Sequence, residues 1–209
     1  MPADGVEFET VVRALTEPDG LWRRTEVLDR PCPIPTEPGV YAWYFDDVTH
    51  RVPTAGCHTV NGSARLYVGI SPGRTPQNGK PPSRQSLRHR IRYHYRGNAA
   101  GSTLRLTLGC LLADELGIQL RRVGSGSRLT FAGGEALLSD WMGLHARVAW
   151  ARHPTPWWAE HALIEKWVLP LNLDQNAHNP FRGELSAARA TARALARDLP
   201  VVPSSWRAS

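Results

Sequence analysis

The sequence predicts an α+β domain: a small central sheet, antiparallel or mixed, of about three core strands flanked by helices. Three observations predict it. Val40–Phe45 and Leu66–Ile70 are short aromatic and β-branched runs separated by turn-forming sequence, which reads as an antiparallel pair of strands. Ala146–Ala151 alternates apolar and polar positions well enough to be a third strand. The remaining stretches carry helical apolar spacing and helix-boundary residues.

In chain order, Glu7–Leu15 has helical apolar spacing and predicts a short helix. Arg30–Gly39 is a proline-punctuated approach to the first strand, Val40–Phe45. Asp46–Ser63 is rich in Pro, Gly and turn residues and predicts a loop before the second strand, Leu66–Ile70. Ser71–Ser83 has too much Pro and Gly for regular structure, and long loops in compact domains are often functional. Ser86–Tyr95 predicts a helix with Leu87 and Ile91 facing the core. On it Arg90 and His94, also four apart, share a neighbouring face. Thr103–Leu116 predicts another helix, Leu129–Phe131 a short strand, and Glu135–Met142 a helix leading into Ala146–Ala151. Thr155 and Pro156 are preferred residue types for an N-cap and first helical position, so Trp157–Val168 continues as a helix that Pro170 stops. Asn172–Phe181 is Asn-rich and irregular, and Glu184–Arg197 is an Ala-rich helix.

Composition narrows the class. The 209 residues suit one domain with elaborations, and 42% hydrophobic content with eight Trp is ample for a core. No run of about 18 apolar residues predicts a membrane span, and the polar, acidic start does not resemble a secretory signal. Cys32, Cys57 and Cys110 are an odd number without a CxxC, which predicts reduced thiols and a cytoplasmic location. Net charge is +6, and its distribution is uneven. Between Asp47 and Asp114 there is no Asp or Glu, while the interval holds Arg51, Arg65, Arg74, Lys80, Arg84, Arg88, Arg90, Arg92, Arg96 and Arg105. A one-sign stretch makes a local positive field, whose natural partner is a phosphate backbone. Arg74, Lys80, Arg84, Arg88, Arg92 and Arg96 are the candidates for nucleic-acid contact.

The chemistry rests on an ordered set of residues. Gly39-Val40-Tyr41 and Tyr67-Val68-Gly69 each pair a tyrosine with a glycine on a predicted strand. Arg90 and His94 follow on a helix, and EHALIEKWVLPLN at Glu160–Asn172 supplies a glutamate helix ending in Pro-x-Asn. In this order and on these elements, the residues resemble the signature of the GIY-YIG nuclease superfamily over roughly Pro38–Asn172.

The resemblance implies an endonuclease that hydrolyses DNA with one divalent ion, Mg²⁺ or Mn²⁺. By it, Tyr41 contacts the attacking water as general base or as its orienter, and Tyr67 orients water or the scissile phosphate. Arg90 binds that phosphate, where a bidentate fork outperforms lysine. His94 hydrogen-bonds the phosphate or assists proton transfer. Glu160 holds the metal, with Glu165 as its rival, and Asn172 ties the end of the glutamate helix to the site. The implied domain is 38–181, with a lead-in at 1–37 and a packed helix at 182–209. Tyr41 and Tyr67 stand 26 positions apart, wider than the usual family hairpin, so 46–63 is an insertion. Further insertions lie at 71–84 and 111–143, and they leave substrate identity open. Expected partners are DNA, with RNA left open, and a second copy of the chain.

Plainer readings stand beside these. Tyr41 and Tyr67 could be aromatics packing across a hairpin, and the arginines of 88–96 a solvated helix face. Trp157 and Trp158 read as packing residues, with base stacking as the sharper alternative. Arg189, Arg193 and Arg197 recur every four residues as a basic stripe opposite an Ala/Leu docking face. The rival functions are a non-catalytic nucleic-acid-binding module and an RNA- or structure-specific nuclease of the same fold.

Overall fold

The structure is a computed structural model that describes residues 2–74, 83 and 85–203. It is α+β. Its main sheet has four antiparallel strands in the order β2-β3-β1-β6: β1 Gly39–Phe45, β2 Thr59–Val60, β3 Ser63–Ser71 and β6 Ala146–Arg152. A second hairpin pairs β4 Arg121–Val123 with β5 Arg128–Thr130. Among the described residues eight α-helices surround the sheets: α1 Pro2–Thr16, α2 Arg24–Leu28, α3 Leu87–Arg96, α4 Thr103–Leu111, α5 Ala113–Leu116, α6 Gly134–His145, α7 Pro156–Lys166 and α8 Arg182–Asp198. Among the described residues no helix is long and apolar enough to cross a membrane.

Every residue of β1 and β3 is buried, because helices cover both faces of the sheet. One face carries Val40, Ala42, Tyr44, Val68 and Ile70 against Val11 and Leu15 of α1 and Ala159, Leu163 and Ile164 of α7. The other carries Tyr41, Trp43, Phe45 and Tyr67 against α3, α4, α6 and α8, through Leu87, Ile91, Leu104, Leu138 and Leu185. Each fully buried aliphatic or aromatic side chain of this kind contributes about 1.5–3 kcal/mol, so the two layers hold the sheet between them.

Register sets which side chains meet. Tyr41 lies opposite Gly69 and Trp43 opposite Tyr67, so both signature tyrosines point to the α3 and α4 side. A bulge after Trp43 then shifts the pairing, and Tyr44 faces Arg65.

The predicted elements form, with differences. The expected helix over Thr103–Leu116 divides at Leu112, which has ψ near zero and serves as C-cap of α4 and N-cap of α5. Gly117, in the left-handed conformation at φ 60°, ends α5. The predicted loop over 46–63 contains β2, which adds a short fourth strand to the outer edge of β3. Helix α7 stops at Lys166, short of Val168. Helix α2 and strand β4 carry too few residues to show a periodic pattern. The five-residue α2 is fixed instead by a local bond, Arg23 N–H donating to Glu26 Oε2 at 2.8 Å.

Candidate active site

The β1–β3 pair builds the floor of an open cavity of about 600 Å³. Gly69 is required there. A Cβ on it would lie 2.6 Å from the Tyr41 hydroxyl, so only glycine lets the Tyr41 ring pass across β3. Gly39 is similarly confined, since a Cβ would collide with the Ala151 carbonyl and Leu87. The two glycines of the paired triplets are thus steric conditions for bringing β6 and the Tyr41 ring close.

Helix α3 delivers the next two groups. Its N-cap Ser86 accepts from the His89 amide, and Leu87 and Ile91 bury its inner face. Arg90 and His94 then project toward Tyr41. Arg90 Nη1 donates to the Gly101 carbonyl at 2.7 Å and Nε reaches the Tyr41 oxygen at 3.4 Å. His94 is fully buried behind Tyr41, with Nε2 2.8 Å from the Tyr41 hydroxyl and Nδ1 2.7 Å from Ser102 Oγ. His94 therefore does not line the cavity, and its contact with the site is through Tyr41. Burial, with the charges of Arg90 and Arg105, holds the imidazole well below its usual range, so His94 is neutral. Burial likewise raises both Tyr41 and Tyr67, despite the nearby Arg90, so the two phenols are protonated at rest. Tyr67 also meets Thr103 Oγ1 at 3.4 Å.

Helix α7 packs on the opposite face of the sheet, yet Glu160 reaches the cavity, flanking the same site as Tyr41, Tyr67 and Arg90. Burial pushes its carboxyl up to about 7; Arg74 and Arg90 oppose that rise and Asp174 adds to it. Its rival Glu165 is exposed and faces His161 at 3.5 Å instead.

Asn172 closes the edge of the floor. Its Oδ1 accepts from the Val68 amide and its Nδ2 donates to the Val68 carbonyl, both at 2.9 Å. One side-chain amide therefore stands in for a neighbouring strand along β3. Asn176, buried next to it, donates to the Leu169 and Asn172 carbonyls and holds the turn that presents Asn172.

The six residues expected to carry catalysis thus gather in one place, five on the cavity and His94 directly behind it. The basic residues scatter. Arg74 lines the cavity and donates to Gln175. Arg88 and Arg92 do not line it: they lie on another side of α3, where Arg88 Nε donates to Ile34 O at 2.7 Å and Arg92 Nη1 to Val27 O at 2.8 Å. These guanidiniums fasten the lead-in segment to α3. Arg96 is exposed at the helix end, and Lys80 and Arg84 lie outside the described residues. Trp158 packs edge-on against Phe8, with ring centres 5.2 Å apart.

Asp174, Thr107 and Arg189, which lie outside the sequence motif, also line the cavity. Asp174 lies two positions after Asn172, a proximity that was available as a signal. Arg189 belonged to the presumed solvated stripe of α8, but it is buried on the docked face with Leu185 and Ala196.

A family profile described as the GIY-YIG catalytic domain matches residues 39–191, from the first residue of β1 into α8. No curated protein and no solved structure gives a significant match. With the profile covering well over half of the chain and both tyrosine strands, Arg90 and Glu160 converging on one cavity, this protein belongs to the GIY-YIG catalytic-domain family, a domain that implies nuclease activity in general.

Proposed function

We propose that this protein is a metal-dependent endonuclease acting on DNA, with Tyr41, Tyr67, Arg90, His94, Glu160 and Asn172 as its working residues. One observation carries the reading: two phenols, an arginine and a desolvated carboxylate share a single open cavity.

The donor set suits a hard divalent ion. Glu160 is largely buried, its acidity is weakened by burial, and among the described residues it forms no salt bridge. Asp174 offers a second carboxylate on the same cavity. Among the described residues no group of three or more His, Cys, Asp or Glu could hold a metal, which disfavours a closed zinc-type cage. One or two carboxylates with water and phosphate oxygens completing the shell fit Mg²⁺ or Mn²⁺. When bound at Glu160, such an ion supplies neutralisation of charge on the phosphoryl oxygens.

The chain's own residues do the rest. Arg90, steadied by Gly101, faces the scissile phosphate and offsets the negative charge that develops on it. With the proton of neutral His94 on Nδ1, against Ser102 Oγ, the Tyr41 hydroxyl donates to Nε2, leaving a lone pair of the phenolic oxygen to receive a proton. As water attacks phosphorus, its proton passes to Tyr41 while Tyr41 passes its own to His94. A phosphate against Arg90 offsets one of the two cations that disfavour imidazolium, so substrate itself makes the relay easier. The P–O3′ bond breaks and the 3′ oxygen takes a proton from solvent, leaving 5′-phosphate and 3′-hydroxyl ends. Tyr67, held by Thr103, orients the water or the phosphate.

The test is conversion of supercoiled plasmid to nicked and linear forms in Mg²⁺, with duplex, branched and RNA substrates alongside. Glu160→Gln is expected to slow cleavage at least ~100-fold with folding retained. Wild-type protein that binds these substrates but cuts none in Mg²⁺ or Mn²⁺ would favour the non-catalytic module.

A further inference from the structure

Arg189 is the one cavity cation contributed by α8. It is 8% exposed and occupies the docked face of that helix between Leu185 and Ala196. Its Nε is buried without a hydrogen-bond partner, and among the described residues it forms no salt bridge. Arginine is almost never buried unless paired, because desolvating its charge is costly. Fully buried Arg105 illustrates the rule, with Glu135 at 2.6 Å and further bonds to the His94 carbonyl and Ser139. Arg189 has no such set. The charged and polar groups around it are Arg193 on its own helix, Cys110 of α4, Asp174 and Tyr67. Arg193 adds like charge, and Asp174 is exposed and beyond ion-pair distance.

Tyr67 has Arg90 near it as well as Arg189, so the cavity holds two arginine positions around one phenol. Arg90 is committed to Tyr41 and Gly101, the place of the reacting phosphate. We propose that Arg189 binds a second phosphodiester of the same nucleic-acid strand, next to the one that is cut, and so makes α8 part of the substrate site. The inference rests on the nuclease reading. A guanidinium suits the role, since its planar fork meets two phosphate oxygens where lysine offers a point charge.

The experiment measures binding of a fluorescein-labelled DNA duplex by anisotropy over a range of salt. It is done in a Glu160→Gln background so that cleavage does not intervene. Arg189→Met keeps an apolar stem of similar length, and Arg189→Lys keeps the charge. Arg189→Met is expected to weaken binding about tenfold or more and to lower the salt slope by about one, with Arg189→Lys retaining the slope. In the cleaving enzyme the loss falls more on KM than on kcat. An unchanged affinity and slope in a folded Arg189→Met protein would make Arg189 a packing residue and overturn the proposal. So would a fall in kcat at unchanged slope. If wild-type protein binds duplex but does not cut, the nuclease reading fails on its own, while the salt slope still reports on Arg189.

Discussion

Glu160 sets the pH behaviour of the cavity. An ordinary glutamate titrates near 4.5, and Glu160 in the folded chain titrates near 7 because burial penalises its charge. Between those values the folded protein keeps a proton that the unfolded chain has released. Its contribution to stability is therefore fully present below pH 4.5 and lost as pH rises through about 7. The full loss is about 3 kcal/mol, and the proposed divalent ion would reverse it by stabilising the carboxylate. In EDTA, the Tm of wild-type protein is expected to fall more between about pH 5 and pH 8 than that of Glu160→Gln. Adding Mg²⁺ at the higher pH should raise the wild type and leave the variant unmoved. Parallel Tm curves for the two proteins would contradict the assignment. The same burial explains His94. It is neutral for want of solvent and for excess of neighbouring cations, the state that the proposed proton relay requires.

At the scale of elements, the edge of β3 that no strand pairs is the weak point, and Asn172 covers it. Strand β2 pairs only with Ser63 and Ala64, so Val68 has no strand on its outer side. Asn172→Ala would leave the Val68 amide and carbonyl unpaired in a buried setting, at roughly 1–3 kcal/mol for each group not rescued by water. The expected result is a lower urea midpoint and faster hydrogen exchange at the Val68 amide, with slower cleavage because Tyr67 sits one residue away. A Val68 amide that stays protected would show the clamp to be dispensable. The strands and α7 were legible because their signals are local: aromatic runs, paired glycines, and Thr155-Pro156 at a helix start. The site residues were legible for a different reason, as an ordered motif, although nothing local shows that His94 lies behind Tyr41 rather than beside it. The anchoring of Arg88 and Arg92 and the burial of Arg189 were not legible, because charge on a helix face does not reveal what packs over it. Their surroundings come from the lead-in segment and α8, distant in sequence.

For the whole molecule, the long stretch between α3 and β6 braces the cavity wall behind Tyr41. Arg105, buried on α4, donates to Glu135 of α6, to the His94 carbonyl at the end of α3 and to Ser139. Glu135 in turn accepts from the Ala99 amide at 2.8 Å and the Phe131 amide at 3.0 Å. One ion pair thus joins α3, α4, α6 and the segment after β5, and Ser102, the N-cap of α4, passes the constraint to His94. This arrangement converts what looks in sequence like an insertion into the backing for the Tyr41–His94 contact. Glu135→Ala removes the partner of a fully buried guanidinium and strands two amides. Breaking a buried pair on one side typically costs about 3–5 kcal/mol, more than the pair itself contributes. The variant is expected to lose that much in urea unfolding. Cleavage by the fraction that remains folded should slow as well, because the His94 carbonyl loses its anchor. Replacing both partners, as in Arg105→Met with Glu135→Leu, removes the stranded charge and should recover stability without recovering the rate. A double variant that regains full cleavage would mean that the pair serves folding alone and that His94 is held in place by its contacts with Tyr41 and Ser102.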